Sequence, residues 1–209
     1  MHVPSSPRLQ SVADDIRARG WSVQPGFLDS ETVAGLRERA LEWWTDGAFR
    51  PAGVGRGESL RLAPEIRSDY VRWLDLETGG RFHDVGVTFY EPLRLALNGA
   101  LYLGLFDLEA HVTMYPPGSA YARHLDRFRD ASHRTVSVIL YLNDGWTGAD
   151  DGCLRLYLPP EQPGEPERVL DVMPEGGTLV SFLSGEIWHE VRPTRRDRMS
   201  LTGWFCTRR

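Results

Sequence analysis

A chain of 209 residues that is 41% hydrophobic, 25% charged and 11% aromatic is long enough to bury a core without disulfide or metal staples. Its formal charge of −5 argues against a general nucleic-acid binder, and no apolar run approaches the roughly 20 residues that cross a bilayer. Cys153 and Cys206 make no disulfide framework and show no CxxC spacing, and the opening MHVPSSPRLQ lacks the apolar stretch of a secretory signal, so the expectation is a cytoplasmic protein.

In chain order, LQSVADDIRARG reads as a short amphipathic helix that stops at Gly20. WSVQPGF is strand-like. DSETVAGLRERALEWW opens on Asp29 or Ser30 as a cap and spaces Val33, Leu36, Ala40 and Trp44 along one face, which predicts a second helix. GAFRPAGVGRGESLRL contains a GxGxG, but no strand precedes it and no Lys-Ser/Thr follows, so it reads as a glycine-rich surface loop, not a phosphate loop. A third helix is expected from about Glu91 to Asn98, with Pro92 in its first turn; the stretch from His83 to Tyr90 has no firm assignment. From residue 109 the period becomes two. EAHVTMYP, RTVSVILYLN, CLRLYLP, RVLDVMP, GTLVSFL, EIWHEV and RMSLTGWF are short strands between Pro/Gly turns, and PPEQPGEPER suits an exposed loop. The fold class is α+β: a jelly roll with the helices packed outside one sheet.

Alternation assigns side chains to faces. In RMSLTGWF one face carries Arg198, Ser200, Thr202 and Trp204, opposite Met199, Leu201, Gly203 and Phe205. In TVSVILYLN the face with Thr135, Ser137, Ile139 and Tyr141 opposes an aliphatic one. Polar faces on two such strands imply a polar lumen within a covered barrel. RHLD places His124 and Asp126 two apart, and His189 follows 63 residues after Asp126, at the end of a strand pattern. Two histidines and one carboxylate with positions left open form the facial triad of non-haem Fe(II) oxygenases. No HExxH is present, which argues against a zinc protease.

YPPGSAYARHLD, ILYLNDGW, GCLRLY and HEVRPTRRDRMSLTGW resemble, in order and spacing, the motifs of Fe(II)- and 2-oxoglutarate-dependent prolyl 4-hydroxylases. The likeness is to the hypoxia-inducible-factor prolyl hydroxylases and their bacterial homologues. RSDYVRWL resembles the segment after that family's mobile loop, so the likeness spans roughly residues 12 to 205.

The resemblance implies a double-stranded β-helix (jelly roll, cupin-like) core at residues 109–209. Residues 1–108 would form a helical support region with a mobile loop at about 47–62, all one catalytic domain. It implies Fe(II) on His124, Asp126 and His189, with 2-oxoglutarate and O2 as co-substrates and L-ascorbate as a reductant. Arg198 would bind the distal carboxylate of 2-oxoglutarate through a bidentate pair, with Tyr141 donating to the same group. Tyr115 would lie by the co-substrate's metal-binding end, Thr202 near the iron, and Ile139 and Leu154 would be apolar walls. Arg195 and Arg196 are rivals for the anchor; Arg198 is preferred because it starts a strand and shares its inward face with Thr202.

The same resemblance implies that Asp69 and Arg134 pair at the site entrance and steer substrate; the alternative for them is a plain surface ion pair. His111, although in line with Thr113 and Tyr115, reads as a core group, and His2, His83 and His133 as incidental. Five residues follow Trp204, where the oxygen-sensing enzymes carry a C-terminal extension, so the likeness is to the bacterial branch. The implied partner is a protein carrying a target proline, with elongation factor Tu as the candidate, and no membrane. The alternatives are an oxygenase acting on a free amino acid, another small molecule or a nucleobase, and a metal-binding jelly roll without turnover. Nucleic acid is supported only by the short basic turn RPTRRDR.

Overall fold

Helix α1 (Pro7–Arg19) buries Leu9, Val12, Ala13 and Ile16, whose three- and four-residue spacing puts them on one face. Gly20 ends it in the left-handed region at φ 82°, its N–H bonding the Ile16 carbonyl at 2.9 Å. Strand β1 (Trp21–Gln24) leads to α2 (Ser30–Thr45). Of the two cap candidates Asp29 is the cap: its carboxylate accepts from the Thr32 N–H at 2.8 Å. The computed structural model describes residues 7–55, 61–75, 80–127, 133–162 and 164–208; His2 and the centre of the 47–62 loop lie outside them. Strands β2 (Arg50–Pro51) and β3 (Tyr70–Trp73) come next.

The stretch without a sequence assignment is helical. Helix α3 (Arg81–Val85), a π-helical turn (Gly86–Tyr90) and α4 (Glu91–Leu101) run on without a break. Gly86, Val87 and Thr88 are poor helix formers, which hides the helix from propensity, and tertiary packing overrides them. Pro92 stands in the first turn of α4, as expected.

Seven expected strands are present: β4 (Leu105–Tyr115), β6 (Arg134–Tyr141), β7 (Leu154–Leu158), β8 (Arg168–Val172), β9 (Leu179–Leu183), β10 (Trp188–Val191) and β11 (Arg198–Thr207). Strand β5 (Tyr121–His124), absent from the sequence reading, holds one of the metal-ligand candidates. The major sheet runs β1-β9-β6-β11-β4-β3-β2 and the minor sheet β5-β10-β7-β8, an α+β jelly roll with helices behind the major sheet. Because β4 begins at Leu105, the expected division at 108/109 falls within a strand. Strands β1, β2 and β3 from the N-terminal part complete the major sheet.

The two faces of the major sheet have different tasks. Val136, Val138, Leu140, Met199, Leu201 and Phe205 point outward into one core with Leu36, Leu93 and Leu97 from the helices. Burying each such side chain contributes roughly 1.5–3 kcal/mol. The inward face, with Tyr115, Ile139, Tyr141, Val180 and Phe182, meets Leu154, Leu156 and Val191 of the minor sheet in a second cluster. That outer core fixes the strand register and leaves the inner residues free to be polar.

Candidate active site

Strands β5 and β10 pair antiparallel with His124 opposite His189, so the sheet register itself brings the two imidazoles together. Asp126 follows two residues after β5. Its Oδ1 is 3.6 Å from His124 Nε2 and its Oδ2 3.6 Å from His189 Nε2. One ligand atom from each of the three lies within 4.8 Å of the others. Each imidazole is oriented by the carbonyl two residues before it: His124 Nδ1 is 2.8 Å from the Ala122 carbonyl, and His189 Nδ1 is 3.1 Å from that of Ile187. With Nδ1–H donating there, Nε2 is left as the free lone pair.

Ser137 on β6 donates to Asp126 Oδ2 at 2.7 Å and is itself 2.9 Å from Ser184 Oγ. Burial works to raise the Asp126 pKa. His189 and the hydrogen bonds from His124 and Ser137 outweigh it and hold the carboxyl far below its ordinary range. His189 is pushed down to about 4, first by burial and then by His124, so it is neutral and able to ligate at neutral pH.

The triad opens on a cavity of about 510 Å3 between the sheets. At its far end lies Arg198, 1% exposed. Its Nε donates to the Gly152 carbonyl at 2.7 Å, and its guanidinium lies 5.1 Å from the ring centres of both Tyr115 and Tyr141. No carboxylate among the described residues pairs with this buried cation, and the buried Tyr141 hydroxyl has no hydrogen-bond partner. Burial pushes the Tyr141 phenol up to about 12, so it stays a donor. Ile139, Leu154 and Val191 supply apolar wall, and Thr202 Oγ1 sits 3.4 Å from Thr113 Oγ1 and 3.2 Å from Ser200 Oγ.

The rival arginines lie elsewhere. Arg195 is exposed and pairs with Asp151 at 2.6 Å, and Arg196 reaches the Asp144 carbonyl at 3.0 Å and stands 3.7 Å from Asp150. The expected Asp69–Arg134 pair is not formed. Asp69 is bound by Arg67 at 2.8 Å, and Arg134 by Glu109 at 2.8 Å while lying over Trp204 at 3.5 Å. The reason is position: Arg67 is two residues from Asp69, whereas Arg134 starts β6, two strands from β4. Arg67 in RSDYVRWL and Tyr121 in YPPGSAYARHLD have roles that only the structure reveals. Arg67 lies over the Tyr121 ring at 4.3 Å and Tyr121 stacks on His124 at 3.6 Å, so the Asp69 ion pair leads to a metal-ligand candidate. Ser137 was assigned an inward face without a role.

Residues 110–206 match the family model described as the 2OG-Fe(II) oxygenase superfamily. A prolyl-4-hydroxylase from Pseudomonas putida has the same fold at a TM-score of 0.83 and 43% identity, over 96% of this chain and 100% of that one. The chain belongs to the prolyl-4-hydroxylase family of 2OG-Fe(II) oxygenases. A Trichoplax adhaerens prolyl hydroxylase, solved with a hypoxia-inducible-factor oxygen degradation domain peptide fragment, matches at 26% identity and TM-score 0.82. It covers 95% of this chain and 89% of that one. The hypoxia-inducible factor prolyl hydroxylase of Caenorhabditis elegans is 28% identical over 95% of this chain, which spans 28% of that protein's length.

The 2OG-Fe(II) oxygenases use Fe(II), 2-oxoglutarate and O2, and the residues of this prolyl-4-hydroxylase relative fit the requirement. Two imidazoles with Nδ1 turned to backbone carbonyls, beside one ionised carboxylate, suit Fe(II). A buried guanidinium without a carboxylate, next to a buried hydroxyl without an acceptor, suits the far end of a dicarboxylate.

Proposed function

We propose that this protein is an Fe(II)- and 2-oxoglutarate-dependent dioxygenase that hydroxylates a prolyl residue in a protein substrate, with elongation factor Tu as the candidate. The observation that carries the reading is the cavity with a metal-ligand triad at one side and the unpaired Arg198 at its end. Bound together, iron, 2-oxoglutarate and O2 supply an oxidant that turns a C–H into a C–OH and leave succinate and CO2.

The chain's own residues position these groups. His124, Asp126 and His189, which all line the cavity, would hold the metal. Arg198 and Tyr141 grip the distal carboxylate in a buried setting, where a charge-assisted bidentate bond is strong. Tyr115 and Thr202, which line the cavity, would flank the co-substrate, and Ile139 and Leu154 would exclude water from it. Ala48 and residues 50–55 line the cavity with Trp73 and Arg134, where a substrate segment would enter. Asp69 serves the site through Arg67, Tyr121 and His124, without touching substrate. L-Ascorbate would act as an external reductant.

Two measurements test the reading. Under anaerobic conditions, Fe(II) followed by 2-oxoglutarate should raise the visible charge-transfer band of the chelate in the wild type but not in His189→Ala. In air, mass spectrometry of elongation factor Tu after turnover should find prolyl oxidation matched by succinate. Succinate with no prolyl oxidation in any protein of a cell extract would sink the prolyl assignment, and no band with verified iron would sink the oxygenase.

A further inference from the structure

Of the groups that line the cavity, His111 has no part in holding metal or co-substrate. It lies on β4, 3% exposed, between Trp73 of β3 and Thr202 of β11 in the sheet register. We propose that His111 is a specificity-determining residue whose imidazole hydrogen-bonds a backbone amide of the peptide flanking the residue to be oxidised. The inference rests on the reading of the substrate as a protein, and three observations carry it.

The first is bonding. His111 Nδ1 is buried without a hydrogen-bond partner, whereas the Nδ1 atoms of His124 and His189 each face a carbonyl two residues back. Native interiors rarely leave a polar atom in that state, so this imidazole, which lines the cavity, calls for a partner that the protein itself does not supply. A core histidine, the reading its sequence position suggests, would have one already.

The second is place. His111 and Ile139 both stand opposite Thr202, so they share a rung of the sheet two strands apart, roughly 10 Å at ~4.8 Å per strand. The imidazole lines the same cavity as the triad but is not one of the clustered ligand candidates. Along β4 it is four residues from Tyr115, which stands opposite Arg198, a backbone distance of about 13 Å at ~3.3 Å per residue. A five-carbon dicarboxylate held at Arg198 would be too short to span that distance. An extended peptide crossing the mouth would reach the imidazole, and it presents one N–H and one C=O per residue.

The third is fixation. The Trp73 ring centre is 4.9 Å and that of Trp204 5.2 Å from the imidazole, and Trp73 is itself 55% exposed at the mouth. The two indoles hold the ring plane, so it cannot swing out to bulk water. Burial first, then Arg67 and Arg134, push the His111 pKa down to about 3, against the opposite pull of Asp126. The ring is thus uncharged, and a neutral amide, reached directly or through one trapped water, is the partner that suits it.

His111→Met keeps the volume and the contact with the indoles but has no strong hydrogen-bonding atom; His111→Gln keeps donor and acceptor. The probe is a pooled synthetic library of extended proline-containing peptides, turned over by the iron- and 2-oxoglutarate-loaded proteins and read by mass spectrometry. For the best wild-type peptide, His111→Met should raise KM about tenfold at little-changed kcat and flatten the ranking of peptides, while His111→Gln stays within about threefold. Uncoupled succinate formation and the KM for 2-oxoglutarate should not move in either.

Thermal melting of the metal-free proteins gives a substrate-free arm, in which His111→Met should melt at or above the wild type. A wild-type KM and ranking in His111→Met would overturn the inference. So would a His111→Met protein that melts well below both wild type and His111→Gln, since the histidine would then be a satisfied core group. If the wild type oxidises no peptide, the protein-substrate reading fails and takes this inference with it; a change confined to the variants leaves that reading standing.

Discussion

Arg198 Nε donates to the Gly152 carbonyl at 2.7 Å, and a Cβ on Gly152 would stand 2.9 Å from Thr194 Cβ and 3.3 Å from Arg198 Cδ. Gly152 is also at φ 71°, a backbone region that disfavours side chains. The one bond that directs the guanidinium therefore depends on a position where only glycine fits without displacement. This relationship makes Arg198 a pre-set anchor, not a flexible surface cation.

Removing the anchor should separate co-substrate binding from metal binding. Arg198→Ala is expected to weaken 2-oxoglutarate by roughly 3–5 kcal/mol, more than a hundredfold, because it strands one partner of a buried pair. Fe(II) or Co(II) affinity should stay within a fewfold. Arg195→Ala and Arg196→Ala should bind 2-oxoglutarate normally, since both side chains are outward and paired with Asp151 and Asp150. Titration of the charge-transfer band reads all three, and normal affinity in Arg198→Ala would move the anchor elsewhere.

Ser137→Ala tests the support behind the metal ligands. It removes the 2.7 Å bond to Asp126 Oδ2 while leaving a small side chain in a buried place. Loss of such a supporting bond is expected to weaken metal binding about 10–100-fold. Competition with a chelator measures this, and an unchanged affinity would show that Ser184 or water replaces the bond.

Asp69→Ala should destabilise the fold by roughly 3–5 kcal/mol, since it leaves Arg67 without its acid in a partly buried setting. Burial alone would lower the Arg67 pKa, but the bond to Asp69 raises it well above its ordinary value. With Arg67 released from above Tyr121, metal affinity should also fall. Arg134→Ala should leave metal affinity alone, because Arg134 pairs with Glu109 instead. Denaturant melts together with metal titration distinguish the two; equal behaviour would contradict the pairing.

The metal-free protein should lose stability on mild acidification. His189 is held at about 4 and His111 at about 3, both below the ordinary histidine value of about 6.5. As pH falls below about 6.5 the unfolded chain therefore binds protons that the folded one refuses, so stability falls with pH until the folded values are reached. Between about pH 6 and 4.5 each histidine contributes a slope of close to one proton. Melts across that range should show His111→Met with a slope shallower by about one proton, and an identical slope would place His111 outside the linkage.

Much of this protein was legible because its code is local. The period-two segments from β4 to β11 alternate polar and aliphatic residues, and the face assignments of Arg198, Thr202, Ser137 and Tyr141 needed only the pleat of a strand. The helix through Gly86 was not legible, because its stability comes from packing of Tyr90 and Leu93 and not from propensity. Nor was β5, whose four residues make a ladder only when β10 is beside them.

The ion pairs show the same limit. Asp69 and Arg134 are plausible partners as charges on a line of text, but pairing depends on which strands are neighbours, and Arg67 and Glu109 are closer. For His111, alternation indicates the face but not whether a partner awaits it there. By itself the sequence determined the residue types and their faces, since these follow from periodicities of a few residues, while the triad's membership was implied by the resemblance of its motifs. Only the tertiary structure decided that His124 stands opposite His189, that Arg198 is the buried cation, and that His111 Nδ1 is left unbonded. Each of those is a relation between segments far apart in the chain, and distance in space is set by sheet register and packing.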